Sequence, residues 1–537
     1  MLQIDFIHNR HLPLLSREAQ KRLDQAWTDY TGLGLEILME QAGIAVAAAT
    51  RDHADKHKLK YSSCTVFIFG GSGNNGADAW VSARHLLTDG FNVICCDLSS
   101  GTSPQLEAVR RMQVSFVNTD ELKNQTPPDI IIDGILGTGF KLDRGVASEL
   151  SSVFNLIQDW QQRRSFVISI DIPSGIETDS GAMAEDHICA DYTVTFVSPK
   201  IGLAAAPGCV CSGLITTVPL SMPADWVNKT LENMPLPRLI DLEMVRALRP
   251  LRPADGHKGT FGRALLIGGN EGMAGSIALA GQAAARAGAG LITLAVGRSA
   301  FLPVLSAFPE GLTHDIGECE DPLTSLKTFA ANKQAVAAGP GLGRPEWLPD
   351  YIEYLLREIS CLVLDADALN EISSDLDKYQ MLLKSRSAAG LAPVVLTPHP
   401  GEFRRLAPDL TSLLEHDRQR AALAVAERFG AIVVLKGAAT VIALPDGRIY
   451  INSSGNDGMA KGGSGDCLTG IITGLLAQGI EPESAAISAV YLHGLAGDLA
   501  AEKLGRTAIL PQDLLLNIGK AWLKAGWLGD SRSEFSI

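Results

Sequence analysis

Short apolar runs that end in glycine-rich loops recur along the chain, and they restrict its fold more than any other feature of the sequence. In the first half these runs lie at 64–69, 92–97, 129–133 and 166–171. Continuous apolar segments of this length are typical of buried parallel strands. Helical periodicity between them, for example at 79–87, predicts a doubly wound parallel sheet. Ligands of such a sheet bind at the carboxyl ends of its strands.

Three loops lie at these predicted strand ends, and each contains an aspartate. They are GGSGNNGAD at 70–78, DGILGTGFKLD at 133–143 and DIPSG at 171–175. Asp133 and Asp171 follow apolar strands, where a carboxylate costs free energy unless it is paired or bound to a cation. The oxygen ligands of Asp133, Asn75 and Ser174 suit an alkali or alkaline-earth ion better than zinc. Any one loop could be a simple tight turn, but the three together predict a site.

A second series of apolar runs fills the second half of the chain. These runs lie at 263–269, 290–296, 335–343, 361–368, 394–402 and 432–440. Their loop motifs differ from those of the first half, so they predict a second α/β layered domain rather than an internal repeat. A chain of 537 residues is also too long for one ordinary domain. The polar, proline-containing stretch between the two series predicts a linker at 226–240, between domains at 1–225 and 241–537.

The stretch MAKGGSGDCLTG at 459–470 predicts a glycine-rich turn followed by a helix that begins near Ser464. Glycines permit a sharp turn and a close approach to a ligand. The helix N-terminus would present unpaired N–H groups and its positive dipole end to the turn, which is a site for phosphate. The carboxylate of Asp466, inside the turn, could take a proton from a hydroxyl that attacks this phosphate. The simpler alternative is that Asp466 only caps the helix.

Other polar residues also follow predicted strands in the second half. His399 lies between two prolines, which hold it rigidly at a strand end. Lys436 ends an apolar strand, where a buried ammonium requires a phosphate or carboxylate. Asp365 and Asp367 end another strand, and one of them is expected to help hold Mg²⁺ through water. The alternatives are a loop histidine satisfied by its neighbours and a lysine that extends along the surface to solvent.

Composition narrows the classes of protein and of partner. The net charge of −14 disfavours nucleic acid and anionic membranes as partners. No apolar run is long enough to span a bilayer, and the first residues carry no signal pattern. The nine cysteines are scattered, odd in number and without paired CxxC spacing. We therefore expect reduced, mostly buried thiols in a cytoplasmic protein.

The loops of the first half, together with KIGL at 200–203, resemble those of the YjeF N-terminal family, the NAD(P)HX epimerases; the resemblance covers about residues 14–220. It implies a potassium ion held by Asn75, Asp133 and Ser174, and a substrate contact and catalytic role for Asp171. It also implies that the damaged nicotinamide nucleotide binds at Asn74, Asn75, Gly76, Ala77, Asp78, Gly137, Thr138, Gly139, Phe140, Lys141, Leu142 and Asp143. Ser72, Ala77 and Ala79 stand where members of the family often have glycine.

The motifs of the second half resemble the YjeF C-terminal family, the ADP- or ATP-dependent (S)-NAD(P)HX dehydratases, a ribokinase-like branch; the resemblance covers about residues 246–527. The motifs are GMAG at 272–275, GPGLG at 339–343, DADALN at 365–370, TPHPGE at 397–402, LKGAAT at 435–440 and GSGD at 463–466. The resemblance implies that the hydrated nucleotide contacts Gly275, Ser276, Gly341, His399 and Asp466. It implies that the adenine nucleotide contacts Lys436, Gly437, Ala438, Ala439, Thr440 and Gly465.

The two resemblances together imply an enzyme of nicotinamide nucleotide repair. It would epimerise R and S NAD(P)HX in a Rossmann-like domain. In a ribokinase-like domain it would dehydrate the S epimer to NAD(P)H, with Asp466 as base and ADP and Mg²⁺ as reactants, giving AMP and phosphate. The preference for ADP over ATP rests on resemblance to fused bacterial enzymes. We expect a homo-oligomer without nucleic acid or membrane partners. The alternatives are a small-molecule kinase in the second half and an inactive binding module in the first.

Overall fold

The computed structural model describes residues 4–6, 12–317 and 319–527. The chain divides into two compact units, with the boundary between Leu239 and Ile240. Each unit is built on one mainly parallel sheet with helices between its strands. The predicted fold class, two doubly wound α/β domains, is confirmed.

The sheet of the first unit has eight strands in the order β1-β8-β7-β6-β5-β2-β3-β4, and all of its pairings are parallel. The strands are β1 (Ile4–Phe6), β2 (Thr65–Gly70), β3 (Asn92–Asp97), β4 (Ser115–Phe116), β5 (Ile130–Gly134), β6 (Phe166–Ile170), β7 (Tyr192–Phe196) and β8 (Leu214–Val218). The strand order reverses between β2 and β5. A doubly wound sheet opens its ligand crevice at such a point.

Seven α-helices connect or flank these strands. They are α1 (Arg17–Thr31), α2 (Leu35–Lys56), α3 (Asn74–Thr88), α4 (Pro104–Arg111), α5 (Ser148–Gln162), α6 (Ile201–Ala204) and α7 (Ala224–Leu231). Side chains that alternate along β2 divide between two apolar clusters: Val66 and Ile68 pack with α1 to α3, and Phe67 and Phe69 pack with α5. The sheet is therefore covered on both faces, as its continuous apolar strands require.

The sheet of the second unit has ten strands in the order β12-β11-β10-β13-β14-β15-β16-β17-β18-β9. The strands are β9 (Arg238–Ile240), β10 (Arg263–Ile267), β11 (Leu291–Val296), β12 (Leu312–Asp315), β13 (Ala335–Ala338), β14 (Cys361–Leu364), β15 (Val395–Leu396), β16 (Ile432–Leu435), β17 (Val441–Ala443) and β18 (Ile449–Asn452). Pairings are parallel from β12 to β16 and antiparallel from β16 to β18. The order reverses between β10 and β13.

Two large apolar clusters cover the faces of this sheet. The helices are α8 (Leu242–Ala247), α9 (Ala274–Arg286), α10 (Arg298–Ala307), α11 (Pro322–Ala330), α12 (Leu348–Glu358), α13 (Asp367–Ile372), α14 (Leu376–Ala388), α15 (Pro400–Leu406), α16 (Thr411–His416), α17 (Arg418–Phe429), α18 (Ser464–Ala477), α19 (Pro482–Leu504) and α20 (Pro511–Lys524). The helix predicted to begin near Ser464 begins at that residue.

The helix predicted at 79–87 is longer than expected, because α3 begins at Asn74. Asparagine and glycine have low helix propensity in a helix interior but are tolerated at its start. Gly76 is required there because a Cβ atom would lie 1.9 Å from the carbonyl oxygen of Gly71. Half of the predicted loop is therefore the first turn of a helix.

Two further expectations differ from the structure. The stretch assigned to a linker, 226–240, contains most of α7, whose Val227 and Leu231 are buried in the first unit's core. Its apolar positions are too few to show a helical period in the sequence. The cysteines are not all reduced, since Cys189 and Cys211 form a disulfide. A backbone hydrogen bond from Ala190 to Cys211 brings these segments together.

Within the described ranges, no single helix is both long and apolar enough to cross a membrane. Only α1 and α2 taken together meet those criteria, and they are bent by 118°.

Candidate active sites

The first candidate site lies at the carboxyl ends of β2, β5 and β6, which are neighbours in the sheet. Asn75 lies in the first turn of α3 after β2, Asp133 lies near the end of β5, and Asp171 and Ser174 lie in the loop after β6. All four residues are buried. The strand order therefore brings together the residues that the sequence placed at three separate strand ends.

Asp133 is fully buried and receives four hydrogen bonds from neutral donors. Its Oδ1 accepts from the hydroxyl of Ser174 at 2.5 Å and from the N–H of Ile135 at 3.2 Å. Its Oδ2 accepts from the hydroxyl of Ser169 at 2.8 Å and from the N–H of Ser174 at 2.9 Å. Burial raises the pKa of Asp133 and these hydrogen bonds only partly oppose it. Among the described residues, no cationic side chain donates a hydrogen bond to this carboxylate or forms an ion pair with it.

Oxygen atoms surround this carboxylate on the side of Asn75. The amide nitrogen of Asn75 donates to the carbonyl oxygens of Ile170 at 2.5 Å and Leu136 at 3.5 Å. The hydroxyl of Ser174 also lies 3.3 Å from the Leu136 oxygen. A buried carboxylate without a cation, beside two carbonyls, a hydroxyl and an amide, has the all-oxygen donor set that potassium prefers. The residues present therefore fit the ion that the family resemblance implies.

Asp171 forms a sealed ion pair with Lys200, a residue to which the sequence gave no role. The Lys200 ammonium donates to Oδ1 of Asp171 at 2.6 Å and to the carbonyl of Phe196 at 3.0 Å, and the lysine is 0% exposed. The same Oδ1 accepts from the hydroxyl of Thr195 at 2.9 Å. Asp171 itself has a left-handed backbone, with φ of 64°, which is costly for a residue other than glycine.

Asp78 lies beside this ion pair on α3, and it is only 6% exposed. Its Oδ1 is buried and has no hydrogen-bond partner within the described structure. Burial raises the pKa of Asp78 well above its ordinary value; the charges of Asp171 and Asp24 raise it further, and Lys200 opposes them. Asp24, on α1, also has a raised pKa because it is buried. This side of the site thus holds three carboxyl groups around one lysine.

The remaining predicted substrate residues of the first unit lie in α3 and in the loop after β5, and they differ in exposure. Gly137 lies against Asn75, since a Cβ atom on Gly137 would be 2.3 Å from the amide oxygen of Asn75. The other predicted residues include the exposed Asn74, Gly139, Lys141 and Asp143, the partly exposed Thr138 and Leu142, and the buried Gly76, Ala77 and Phe140. The structure brings Gly137 to the buried site, and the exposed residues lie where a large ligand could cover them.

The second candidate site lies at the carboxyl ends of β13 to β16, opposite the N-terminus of α18. Gly463 precedes this helix with φ of 96°, a left-handed conformation that favours glycine. Gly465 faces Lys436, because a Cβ atom at Gly465 would lie 3.3 Å from the lysine Nζ. The glycine turn therefore presents helix N–H groups and an ammonium to the same space.

Lys436 is held by Asp365, which the sequence had assigned to magnesium. The ammonium donates to Oδ1 of Asp365 at 2.7 Å and lies 3.7 Å from Oε2 of Glu402. Oδ2 of Asp365 accepts from the hydroxyl of Thr469 at 2.7 Å. Burial lowers the pKa of Lys436, but the nearby carboxylates outweigh this effect and raise it overall. Both oxygens of Asp365 are therefore occupied by protein groups.

Asp367 is occupied in a similar way. Its Oδ2 accepts from the N–H of Gly343 at 2.8 Å and its Oδ1 from the amide of Asn370 at 3.2 Å. It thus fixes the GPGLG turn to α13. Each carboxylate oxygen of Asp365 and Asp367 accepts one hydrogen bond from the protein and can accept another, so a role of one of them in holding Mg²⁺ through water stays a prediction.

Asp466 lies in the first turn of α18 and is not ion-paired with Lys436. Burial raises its pKa to about 6, and the negative charge of Asp365 adds to the rise. A hydrogen bond from Ser276 and the charge of Lys436 act in the opposite direction. A carboxylate with a pKa near 6 accepts a proton more readily than an ordinary aspartate and is still ionised at neutral pH, as a general base requires.

His399 has a structural task in addition to any contact with a ligand. Its ring Nδ1 accepts from the N–H groups of Gly401 at 2.9 Å and Glu402 at 3.4 Å, so it caps α15. The side chain of Glu402 accepts in return from the N–H of His399 at 2.8 Å. The imidazole therefore carries its proton on Nε2, and half of the side chain remains exposed at the strand end.

The other predicted residues of the second unit gather around these groups. Gly341, with φ of 60°, packs against the start of α9, where a Cβ atom would lie 3.3 Å from Ser276. Gly275 is exposed and has open space beside its Cα. In the nucleotide segment, Gly437 and Ala438 are exposed and Ala439 and Thr440 are half-buried. Predicted substrate and nucleotide residues thus lie on either side of Asp466 and Lys436.

Sequence reasoning missed five polar residues that complete the two sites. They are Asp24 and Lys200 in the first unit, and Glu402, Thr469 and His493 in the second. His493 hydrogen-bonds the backbone of Ser464, and burial lowers its pKa to about 4. Lys200 had a detectable signal, since it precedes the apolar run IGLAAA. The other four residues lie within helices, where no strand end in the sequence marks them as candidates.

Two family models match the chain, one in each unit. A model described as YjeF-related protein N-terminus matches residues 35–202, and one described as NAD(P)H-hydrate dehydratase matches residues 264–520. Similar proteins extend along nearly the whole chain. The bifunctional NAD(P)H-hydrate repair enzyme of Moorella thermoacetica is 37% identical, over 89% of this chain and 91% of its own length. The corresponding enzyme of Escherichia coli is 32% identical, over 92% and 91%.

Solved structures resemble the second unit. The ADP/ATP-dependent NAD(P)H-hydrate dehydratase from Bacillus subtilis, co-crystallised with ATP and Mg²⁺, is 32% identical and covers 54% of this chain and 98% of its own chain, with a TM-score of 0.45.

Proposed function

Because this chain belongs to the family of bifunctional NAD(P)H-hydrate repair enzymes, we propose that its first unit interconverts the epimers of NAD(P)HX and that its second unit dehydrates the S epimer with ADP. NAD(P)HX is NAD(P)H with water added across a ring double bond. The hydroxyl-bearing carbon lies beside the ring nitrogen, whose lone pair can expel the hydroxyl. The stereocentre can therefore invert, and only one epimer suits a second, stereospecific site.

The observation that carries the dehydratase assignment is the position of Asp466 at the N-terminus of α18, with Lys436 facing Gly465. Asp466 takes the proton of the S-hydroxyl, and the resulting oxygen attacks the terminal phosphate of ADP. The helix N–H groups and Lys436 stabilise the negative charge of the transferring group. AMP leaves, and the new phosphate ester is then expelled by the ring nitrogen. Loss of a proton from the neighbouring ring carbon restores NAD(P)H.

Magnesium is expected to enter with ADP, where it neutralises phosphate charge. Asp365 or Asp367 would help to hold the ion through water, since a carboxylate oxygen that already accepts one hydrogen bond can accept another. The nucleotide contacts are assigned to Lys436, Gly465 and the exposed segment from Gly437 to Thr440. Gly275, Ser276, Gly341 and His399 would hold the hydrated ring.

In the first unit, the buried oxygen cluster of Asn75, Asp133 and Ser174 would hold a potassium ion. When bound, the ion would fix the loops after β2, β5 and β6 relative to one another and offset the charge of Asp133. The substrate would cover the rim from Asn74 to Asp78 and from Gly137 to Asp143, with Asp171 at its base.

A homo-oligomer is supported by apolar side chains at the turn between α1 and α2. Tyr30, Leu33 and Leu35 are 71%, 50% and 40% exposed, and exposed apolar groups of this kind often mark contact surfaces. Sedimentation of the chain at micromolar concentration would test this, and a monomer would contradict it.

Two full-length variants with complementary defects test the proposed division of labour. Asp133→Ala should convert S-NADHX with ADP and Mg²⁺ and then stall at the slow spontaneous inversion of the R epimer. Asp466→Asn should invert epimers but form no NADH. A mixture of the two should convert both epimers completely, because the hydrate diffuses between sites. Absorbance near 340 nm follows NADH. Rapid R-epimer conversion by Asp133→Ala alone would refute the division.

A further inference from the structure

Asp171, the residue expected to carry the proton in the first unit, is already ion-paired with Lys200. Oδ1 of Asp171 receives hydrogen bonds from Lys200, Thr195 and the N–H of Phe196. Lys200 is completely buried, and its other hydrogen bonds go to Phe196 O and Thr195. Protonating Asp171 would leave a buried ammonium without its counter-charge, which is strongly unfavourable. Asp171 is therefore suited to holding Lys200 and its own loop in place.

Asp78 has the opposite character. It is as deeply buried as Asp171, yet its Oδ1 has no hydrogen-bond partner in the part of the chain that the structure describes. It lies in the first turns of α3, within the segment from Asn74 that follows β2. A buried polar atom without a partner is rare and calls for an explanation, such as a ligand or a catalytic role.

The charges around Asp78 favour its neutral acid form. Asp24 and Asp171 are negative neighbours that raise its pKa, and Lys200 is a positive neighbour that opposes them. Lys200 is already paired with Asp171. On the packed face of α2, Glu40 is paired with Arg84 and His85 of α3 and does not supply a counter-charge to Asp78. Burial and the two carboxylates together raise the pKa of Asp78, so the group holds a proton at a pH where exposed aspartates have lost theirs.

We infer that Asp78, and not Asp171, carries the proton in epimerisation. This inference rests on the proposed function of the first unit. The Asp78 carboxyl donates its proton to the departing hydroxyl, the carbon–oxygen bond breaks, and water leaves. The ring nitrogen's lone pair forms the carbon–nitrogen double bond of a cation. Water then adds to the opposite face and loses one proton, and the Asp78 carboxylate regains one, so no proton is gained or lost overall.

Asp24 is a positioning residue in this arrangement. Its negative charge keeps the proton on Asp78, so its removal should shift the pH range of activity without removing the acid. Epimerisation should decline as pH rises through the pKa of Asp78. In Asp24→Asn this decline should begin at lower pH, because one of the charges that raise that pKa is gone.

The test uses the full-length chain without nucleotide, so that the second site is idle, and follows the approach of R-enriched NADHX to epimer equilibrium by chromatography. Asp78→Asn should lower kcat by roughly 10²–10⁴-fold, the usual effect of removing a positioned acid, with KM little changed. Asp52→Asn, at an exposed position of α2, is the matched control and should behave as the unaltered chain. Asp171→Asn should lose activity together with folding stability, and its residual activity should decline at lower pH, because the charge of Asp171 also raises the pKa of Asp78.

Each outcome separates the inference from the proposed function. If the unaltered chain does not accelerate inversion, the proposed function fails. If it does, and Asp78→Asn retains full kcat, the inference is wrong. Should Asp78→Asn unfold the first unit, as circular dichroism would show, Asp24→Asn decides the matter: an unchanged pH profile in that folded variant also overturns the inference.

Discussion

Both units place an aspartate–lysine pair at a strand end, but they bury it differently. In the first unit Lys200 is 0% exposed and bonds only to protein groups. In the second unit the Lys436 side chain is 18% exposed and faces the glycine turn before α18. In each unit a further carboxyl group, the buried Asp78 or the half-buried Asp466, lies nearby without an ion pair to that lysine. The comparison favours a structural role for the pair in the first site and, in the second, the proposed contact of the lysine with the nucleotide.

The largest expected effect separates the two sites by their unpaired carboxyl groups. Asp466→Asn should lower ADP-dependent dehydration by roughly 10²–10⁴-fold, since a positioned base is lost. Epimerisation by the same preparation should be unchanged, and it serves as the internal control. Equal loss of both activities would mean that the units do not act separately.

Replacing each lysine by methionine tests the difference in burial. Lys200→Met leaves Asp171 buried without its partner, so it should lower the free energy of unfolding of the first unit by about 3–5 kcal/mol. Lys436→Met should lose less stability, because its ammonium is partly solvated, and more activity, because it faces the phosphate. Hydrogen exchange in peptides covering 166–200 and 432–440 would measure the first effect, and dehydration kinetics the second. Equal loss of protection in the two regions would remove the distinction.

Asp466 should lower the free energy of unfolding of the second unit as pH rises. The pKa of Asp466 increases from 3.8 to about 6 on folding, so the folded state binds its proton more tightly than the unfolded state. Its contribution is most favourable below about pH 4 and is lost by about pH 6 and above, a difference of about 3 kcal/mol. Asp466→Asn should thus be more stable than the unaltered chain by about this amount at pH 8 and equal to it below pH 4. Urea unfolding at both pH values measures this, and equal stability at pH 8 would contradict it.

Replacement of Asp133 tests the proposed potassium site of the first unit. It is buried without a cationic partner, unlike either lysine-paired aspartate, so Asp133→Ala should weaken potassium binding. Disturbing a metal site in this way typically lowers affinity or activity by about 10–100-fold, and epimerisation should fall in parallel while dehydration of the S epimer is retained. Potassium titrations followed by epimerisation rate would show this. Unchanged potassium dependence would remove the ion from this site.

The sequence predicted those features that depend on local pattern. The starts of the strands that it located, and the start of α18 at Ser464, follow from apolar runs and glycine turns, and the structure has them within one residue. It did not predict the partners of Asp171 and Asp365, because Lys200 and Lys436 are 29 and 71 residues away and meet them only through the strand order. For the same reason the sequence could not show that Asp365 pairs with a lysine, because a strand-end carboxylate looks alike in sequence whether or not a lysine reaches it. His399 was placed correctly at a strand end, but its capping bonds depend on a short helix that no periodicity reveals.

Because one chain runs through both units, across the boundary at Leu239 and Ile240, a cell makes the two catalytic sites in a fixed one-to-one ratio. Each translated chain carries one copy of each site, so the two sites are equal in number whatever the level of expression. The ratio of the two activities is then set by side chains such as Asp78 and Asp466 and cannot be adjusted by separate transcription. A cell that makes this chain gains the means to recycle both epimers at once, and neither accumulates because its partner enzyme is scarce.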